Sequence, residues 1–264
     1  MTGITFFLYS AVSTATTELD NINDNNNDND NDSNTGNDLS EDNEIDIYIN
    51  GEKLEEVDHA KYLGALIDNK LNWSYQINAV SLKNSKGIGL LAKARHFVPR
   101  SILRSLYFSF MNSYIDYNLL NYGMASETNL NVINSKIKKA VRIISFKDRD
   151  EHTDPLFKEL GIMPLDKSIE LKYAKFMWRL HNGYLPESLS NNFRSNSRTG
   201  FSMPISRLKS LKQFVRFAGP KLWRELPSDL TNKPSLDSFT KAYKVYLGYN
   251  YIIPNNNNNN NNLT

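Results

Sequence analysis

The sequence predicts a mainly helical α+β fold, with a short β segment near the N-terminus followed by a helical region. The first observation is that residues 45–49 (IDIYI) alternate apolar and polar side chains, which is typical of a strand. The second is that Asn50 and Gly51 follow directly, and Asn-Gly is a strong signal for a two-residue hairpin turn. The third is that apolar residues recur at helical spacing from Ser74 onward.

The two ends of the chain are of low complexity. Residues 20–38 are almost wholly Asn and Asp, and residues 255–262 are an unbroken run of Asn. Such segments have few apolar side chains to offset the entropy cost of ordering. We therefore expect a disordered acidic head over residues 1–44 and a disordered tail over residues 250–264.

The β segment is predicted to occupy residues 45–68. Residues 53–57 return as a short strand after the Asn-Gly turn, and residues 61–67 (KYLGALI) are predicted to be a third strand. Gly64 would lie inside that strand, where glycine marks a bulge or the close approach of another backbone. Contact with a nucleic-acid backbone and ordinary strand packing both remain open for Gly64.

A helical region is predicted over residues 69–190. Its first helix spans residues 74–93, where Gly87 and Gly89 each cost about 1 kcal/mol relative to Ala. Pro99 marks the start of the next helix. That helix carries an apolar stripe with spacings of 4, 3, 4 and 3 residues, which favours burial in the core over stacking of its aromatic rings on nucleic-acid bases: Leu103, Tyr107, Phe110, Tyr114 and Tyr117.

Two more long helices are predicted before residue 190. One begins after Ser126, a favoured N-cap residue, and runs to about Phe146. The other begins near Leu165 and is closed by Asn182 and Gly183. Between them, a short helical turn that opens with an Asp-Pro pair is expected to end at a glycine, residue 161.

Residues 191–249 are predicted to be a basic loop followed by helices. Residues 191–213 are rich in Ser, Asn, Arg and Lys and poor in apolar residues, which is typical of a loop. Pro220 is placed at the start of a helix, with Trp223 as its apolar anchor. Ser235 is expected to cap the last helix.

Charge is distributed unevenly along the chain. Residues 1–60 contain fifteen Asp or Glu and one Lys, whereas residues 61–264 contain fourteen Asp or Glu and thirty Lys or Arg. A body this basic indicates a polyanionic partner such as RNA or DNA, although a charged surface also simply keeps a protein soluble. The candidate phosphate-binding residues lie on the predicted helix after Ser126 and in the basic loop: Lys136, Lys138, Lys139, Arg142, Arg194, Arg198, Arg207, Lys209 and Lys212.

The residue content excludes several kinds of site. The chain has no cysteine, so disulfides, thiolate chemistry and Cys-ligated zinc are excluded. Its four histidines are scattered, and no metal or cofactor is predicted. No two Asp residues are adjacent anywhere in the sequence, whereas polymerases position two metal ions with carboxylates that typically include such a pair. The cluster of Asp148, Asp150 and Glu151 fits an exposed charged turn better than a metal site.

No part of the sequence predicts contact with a membrane. The apolar run at residues 4–12 is much shorter than the roughly 20 residues of a membrane-spanning helix. No Lys or Arg precedes this run, as one would in a secretory signal peptide. We therefore expect an intracellular protein, either cytoplasmic or nuclear.

Residues 61–77 (KYLGALIDNKLNWSYQI) resemble the end of the palm in reverse transcriptases of non-LTR retrotransposons, the LINE-type and jockey-like elements. In that family, a hydrophobic–Leu–Gly strand, here with Leu63 and Gly64, leads into a D-x-x-L-x-W turn, here ending at Trp73, and then into a long helix. Four later blocks and a short S-x-x-x-F-K motif also resemble that family in the same order: residues 113–124, 133–145, 154–165, 216–227 with Trp223, and 235–241.

The resemblance implies a palm-like β remnant followed by a thumb-like helical region, which in an intact enzyme would hold the template–primer duplex. The family's catalytic Asp motifs have no counterpart here, so no catalytic residue is predicted. We expect a truncated, catalytically incomplete RNA-directed DNA polymerase fragment, not an enzyme, that binds RNA or DNA without sequence specificity at most. The alternatives are a helical module that meets a protein partner through exposed apolar surface, or a retroelement remnant without function.

Overall fold

The computed structural model describes residues 48–49, 52–53, 57–193, 195–196, 200–202 and 214–249. Internal contacts divide the chain into two units, Met1–Lys70 and Leu71–Thr264. The predicted disordered head and tail lie outside the described residues. The described part is mainly helical with short antiparallel strand pairs, which confirms the predicted fold class.

The first unit contains the hairpin predicted at the Asn-Gly pair. Strands β1 (Tyr48–Ile49) and β2 (Glu52–Lys53) pair antiparallel, with Ile49 opposite Glu52. This register leaves two residues between the strands, which is the shortest common hairpin connection. Among the described residues, the strands of this unit form two separate pairs and not one three-stranded sheet.

The prediction of a single strand over residues 61–67 was wrong. Strand β3 (His59–Tyr62) turns back into strand β4 (Ala65–Asp68), with Tyr62 opposite Ala65. The turn consists of Leu63 and Gly64, whose φ angles are 45° and 84°. Positive φ at both central residues is characteristic of a type I′ turn, which matches the twist of paired strands. Gly64 therefore makes the turn possible and does not lie within a strand.

The second unit is built from helices. The longer ones are α1 (Ser74–Ala94), α2 (Arg100–Tyr107), α5 (Glu127–Ile144), α6 (Asp154–Leu160), α7 (Leu165–His181), α9 (Val215–Glu225) and α11 (Leu236–Tyr246). One-turn helices connect them: α3 (Ser113–Asp116), α4 (Leu119–Tyr122), α8 (Glu187–Ser190) and α10 (Ser228–Thr231). A π-helical segment, Phe108–Asn112, joins α2 to α3.

The helix ends follow the predicted capping residues. The Ser126 hydroxyl accepts a hydrogen bond from the Asn129 backbone N–H at 3.3 Å, which satisfies one of the free donors at the start of α5. Ser235 and Ser238 form a reciprocal capping box at the start of α11. Gly161, with φ 57°, ends α6 as predicted.

Two groups of packed helices form the core of the second unit. Helix α1 packs along α5, and α7 packs against both α9 and α11. Trp223, the predicted anchor of α9, is buried within 6.4 Å of the ring centroids of His181, Phe201 and Phe239. Trp73, which precedes α1 and has a left-handed φ of 64°, is also buried.

The apolar stripe predicted on the helix after Pro99 changes face part-way along. Leu103 and Tyr107 are buried as predicted, but the next buried residues are Met111 and Ile115. The cause is the π segment, in which the Ser113 N–H donates to the Phe108 carbonyl five residues back. A π turn takes up one more residue than an α turn, so every later side chain is rotated. The prediction that Phe110 and Tyr114 face the core was therefore wrong, because both are exposed.

Two predictions for the C-terminal part also need correction. Pro220 does not start its helix, because α9 begins five residues earlier at Val215. A proline inside a helix removes the bond from its own position to the carbonyl four residues back, and α9 continues through that loss. Within the predicted loop over residues 191–213, strands β5 (Ser195–Asn196) and β6 (Gly200–Phe201) form a short antiparallel pair.

Candidate nucleic-acid interface

Helix α5 carries the first group of predicted phosphate-binding residues. Its buried side faces the core through Ile133, Ile137, Ala140, Val141, Ile143 and Ile144. At about 100° per residue, Lys138, Lys139 and Arg142 fall together on the side of the helix away from the core, whereas Lys136 lies about 160° from Lys138, in the phase of the buried Ile143. Lys139 is exposed and the other three are half-buried. The structure therefore brings three of the four cations onto one side of α5, and Lys136 projects from another side.

The four cations differ in what they already contact. The Arg142 Nε donates a hydrogen bond to the Glu151 carbonyl oxygen at 2.8 Å, so this arginine holds the turn that follows α5. Lys136, Lys138 and Lys139 form no ion pair with any carboxylate in the described part of the chain. Their ammonium groups therefore remain available for an external anion. We call these three residues, which project from two sides of the helix, the α5 lysine face.

The second group of predicted phosphate-binding residues belongs to the basic loop. Arg194, Arg198, Arg207, Lys209 and Lys212 all lie outside the described residues. Four residues were named above for the resemblance to reverse transcriptases, and two of them, Trp73 and Trp223, are buried in the core. Leu63 and Gly64 form an exposed hairpin turn in the first unit.

A basic segment that sequence reasoning did not single out is residues 71–115. This stretch contains six Lys or Arg and no Asp or Glu, which was the signal that could have found it. On α1, the cations Lys83, Lys86 and Lys93 are exposed. The Lys83 ammonium lies 4.7 Å from the ring centroid of Tyr114, in a cation–π contact that brings α1 and α3 together.

Two arginines of α2 form contacts with another helix of the protein. Arg100 forms an ion pair with Glu159, and the Arg104 Nε donates to the Leu160 carbonyl oxygen at 2.6 Å. Both contacts join α2 to α6. The hydrogen bond from Arg100 holds the pKa of the Glu159 carboxyl below its ordinary value. These two cations therefore serve packing more directly than binding.

Helix α7 contributes another cationic cluster. Partial burial lowers the pKa of Lys175, and the nearby charges of Lys172, Arg179 and Lys244 lower it further. Lys172 also pairs with Asp116, with 2.6 Å between Nζ and Oδ2. Helix α7 thus also carries cations, of which Lys167 and Lys172 are paired with carboxylates.

The acidic residues do not assemble into a metal site within the described ranges, where no group of three or more Asp, Glu or His side chains comes close enough to hold a cation. Asp148, Asp150 and Glu151 are exposed in the turn after α5. None of the helices seen in the described ranges has both the length and the apolar character needed to cross a bilayer.

No family model, no curated protein and no solved structure matches the chain.

Proposed function

We propose that this chain is a catalytically incomplete relative of non-LTR retrotransposon reverse transcriptases that binds RNA or DNA through phosphate contacts, without sequence specificity. The observation that carries the proposal is the α5 lysine face, whose three ammonium groups have no carboxylate partner in the described part of the chain. The family part rests on the ordered motifs between residues 61 and 241. The absence of polymerase chemistry is proposed because no adjacent Asp pair occurs in the sequence.

The physical basis of such binding is the release of counterions. Lysine side chains that neutralise phosphates free the cations condensed on the nucleic acid, so affinity falls steeply as salt is added. Contacts of this kind position the nucleic acid but do not read bases. A thumb-like helical region needs only this property to hold a duplex of any sequence.

The test is a titration of a labelled duplex by fluorescence anisotropy at several salt concentrations. We compare the wild type with a triple variant, Lys136→Gln, Lys138→Gln and Lys139→Gln. Each lost phosphate contact reduces the slope of log affinity against log salt by about 0.9, so the triple variant is expected to lose about 2 to 3 units of slope.

The matched control is Lys221→Gln, Lys233→Gln and Lys241→Gln, which removes the same charge from the C-terminal part of the chain. It is expected to change the slope by less than the α5 variant. Absence of binding at low salt, or a flat salt response, would contradict the proposal. Equal losses in the two triple variants would mean that net charge alone drives binding.

A second candidate function is a helical protein-interaction module. It is favoured by large apolar side chains that the surface exposes, above all Phe97, which is 86% exposed, and Leu82, which is 68% exposed. Size-exclusion chromatography with light scattering separates the two candidates. Self-association without nucleic-acid affinity would favour the protein-interaction module, and a monomer that binds nucleic acid would argue against it.

A further inference from the structure

The π segment Phe108–Asn112 exposes two aromatic rings that helical periodicity alone would bury. Phe110 is 48% exposed and Tyr114 is 40% exposed, whereas Met111 and Ile115 take the buried positions beside them. π turns inside α-helices occur frequently at functional sites. The rings lie one turn apart on the same helical stretch, so they form a small aromatic surface.

Helix α1 borders this aromatic surface at very close range. An added Cβ at Gly87 would lie 2.5 Å from the Met111 Cγ and 3.4 Å from the Phe110 carbonyl oxygen. This approach brings the exposed Lys83 of α1 beside one of the rings, with its ammonium over Tyr114 at 4.7 Å from the centroid. Lys86 is exposed one turn further along α1. We call Lys83, Lys86, Phe110 and Tyr114 the aromatic–lysine patch.

The segment that forms the aromatic–lysine patch carries charge of one sign. The segment that forms it, residues 71–115, contains no Asp or Glu. The first carboxylate after it, Asp116, is paired with Lys172 at 2.6 Å. Aromatic rings interleaved with unopposed cations complement a flexible polyanion that has planar, unpaired rings of its own.

We propose that the aromatic–lysine patch binds single-stranded RNA or DNA, with bases stacked on Phe110 and Tyr114 and the adjoining phosphates contacted by Lys83 and Lys86. Every base offers a π face, so stacking of this kind tolerates any sequence. Bases in a duplex are already stacked on one another and do not offer that face. A base that arrives on Tyr114 replaces the Lys83 ammonium, whose flexible stem lets it move to a phosphate.

This inference takes its ligand class from the proposed function but uses a different surface and a different strand form. The test measures the affinity of a labelled oligothymidine strand and of a labelled duplex for the full chain. Phe110→Ala and Tyr114→Ala are each expected to weaken single-strand binding by roughly tenfold. Duplex affinity is expected to stay within twofold of the wild type. The slope of log duplex affinity against log salt is expected to be unchanged, because no charge is removed.

Three further variants keep the test decisive. Tyr246→Ala removes a comparably exposed ring from α11 and is expected to change neither affinity. Tyr114→Phe keeps the ring face and is expected to bind like the wild type. Phe110→Leu keeps apolar bulk without an aromatic face, is expected to fold like the wild type by circular dichroism, and is expected to lose single-strand affinity.

Several outcomes would overturn the inference. Phe110→Leu that binds single strands normally would show that no base stacks on that ring. Equal losses on single strand and duplex would remove the strand preference. Lost self-association with unchanged affinity for nucleic acid would make the patch a protein contact. If the triple variant of the α5 lysine face still lowers the salt slope in any of these cases, the proposed function stands while this inference fails.

Discussion

Asn84 is the residue whose environment is least favourable in the core. It lies on the buried side of α1 with 0% exposure, and neither its amide nitrogen nor its amide oxygen has a hydrogen-bond partner among the described residues. A buried polar group left without a partner costs about 1–3 kcal/mol. This position therefore reduces the stability of the core beside α1.

We predict that Asn84→Leu, which keeps the branched skeleton and removes the unsatisfied amide, raises the free energy of unfolding by about 1 kcal/mol. Urea denaturation followed by circular dichroism measures the change. Asn78→Leu, at an exposed position of the same helix, is the control and is expected to have little effect. A destabilised Asn84→Leu variant would mean that the amide has a partner outside the described part of the chain.

The ion pair between Arg100 and Glu159 makes a pH-dependent contribution at the surface. The pKa of Glu159 in the folded chain is lowered from its ordinary value of 4.5, chiefly by the hydrogen bond from Arg100. The stabilisation is therefore fully present above pH 4.5 and is lost as the pH falls through the lowered pKa. Because both side chains are partly exposed, we expect at most about 1 kcal/mol.

The measurement compares the unfolding free energy of the wild type with that of Glu159→Gln across the acid range. The difference between them is predicted to be largest near neutral pH and to shrink below the lowered pKa, where the wild-type carboxyl is protonated and resembles an amide. A difference that stays constant with pH would show that the pair makes no ionic contribution.

At the scale of the elements, two glycines of α1 have opposite roles. Gly87 lies against the π segment, where an added Cβ would meet the fully buried Met111, whereas Gly89 faces open space. Glycine in a helix costs about 1 kcal/mol relative to alanine, and overpacking a core costs about 1–3 kcal/mol. The first effect governs Gly89 and the second governs Gly87.

We predict that Gly89→Ala stabilises the chain by up to about 1 kcal/mol, while Gly87→Ala destabilises it by a net amount on the order of 1 kcal/mol. Thermal unfolding of the two variants is the test, and each serves as the control for the other because both carry the same change on the same helix. Stabilisation by both substitutions would mean that the crossing of α1 and the π segment is loose.

The elements that were predicted correctly depend on neighbours in sequence. The caps at Ser126 and Ser235 and the glycine that ends α6 act within one turn, so local reasoning found them. The turn at Leu63 was missed because a leucine with positive φ has no local signature. The π segment was missed because residues 108–115 are apolar enough to form a stripe in either phase, and the contact of Gly87 with Met111 is made across distant parts of the chain.

The same division applies to the candidate interface. Helical periodicity places Lys138 and Lys139 on the side of α5 away from the core, and it places Lys136 on another side. The contact between Lys83 and Tyr114 depends on how two helices cross, and the crossing of two helices cannot be predicted from the residues of either helix alone.

At the scale of the whole molecule, the fold buries four tyrosines whose neutral, protonated form is the one compatible with burial. Burial raises the pKa of Tyr107, Tyr122, Tyr173 and Tyr243 above the ordinary value of 10.0. Tyr243 also donates a hydrogen bond to the Glu170 carboxylate at 2.8 Å. A raised tyrosine pKa gives stability that is fully present below about pH 10 and is lost as the pH rises above it.

We therefore predict cooperative unfolding in alkali. Part of the tyrosinate absorbance is expected to appear together with the loss of helical circular dichroism, because these rings ionise only when the core opens. Tyr243→Phe keeps the ring, removes one of the linked protons, and is expected to make the alkaline transition less steep. Complete tyrosine ionisation with an intact helical signal would contradict the prediction.

The number of residues in the π turn between α2 and α3 decides which side chains of this stretch are exposed, independently of its amino-acid composition. Phe110 and Tyr114 are at the surface, and Met111 and Ile115 are in the core, because one extra residue is accommodated in a single turn. A one-residue deletion there would leave the apolar content almost unchanged and could still be helical. It would nevertheless change which side chains are exposed to solvent and which are buried. Relatives of this chain that differ by one residue at this point would therefore present a different surface, even where their aromatic residues align.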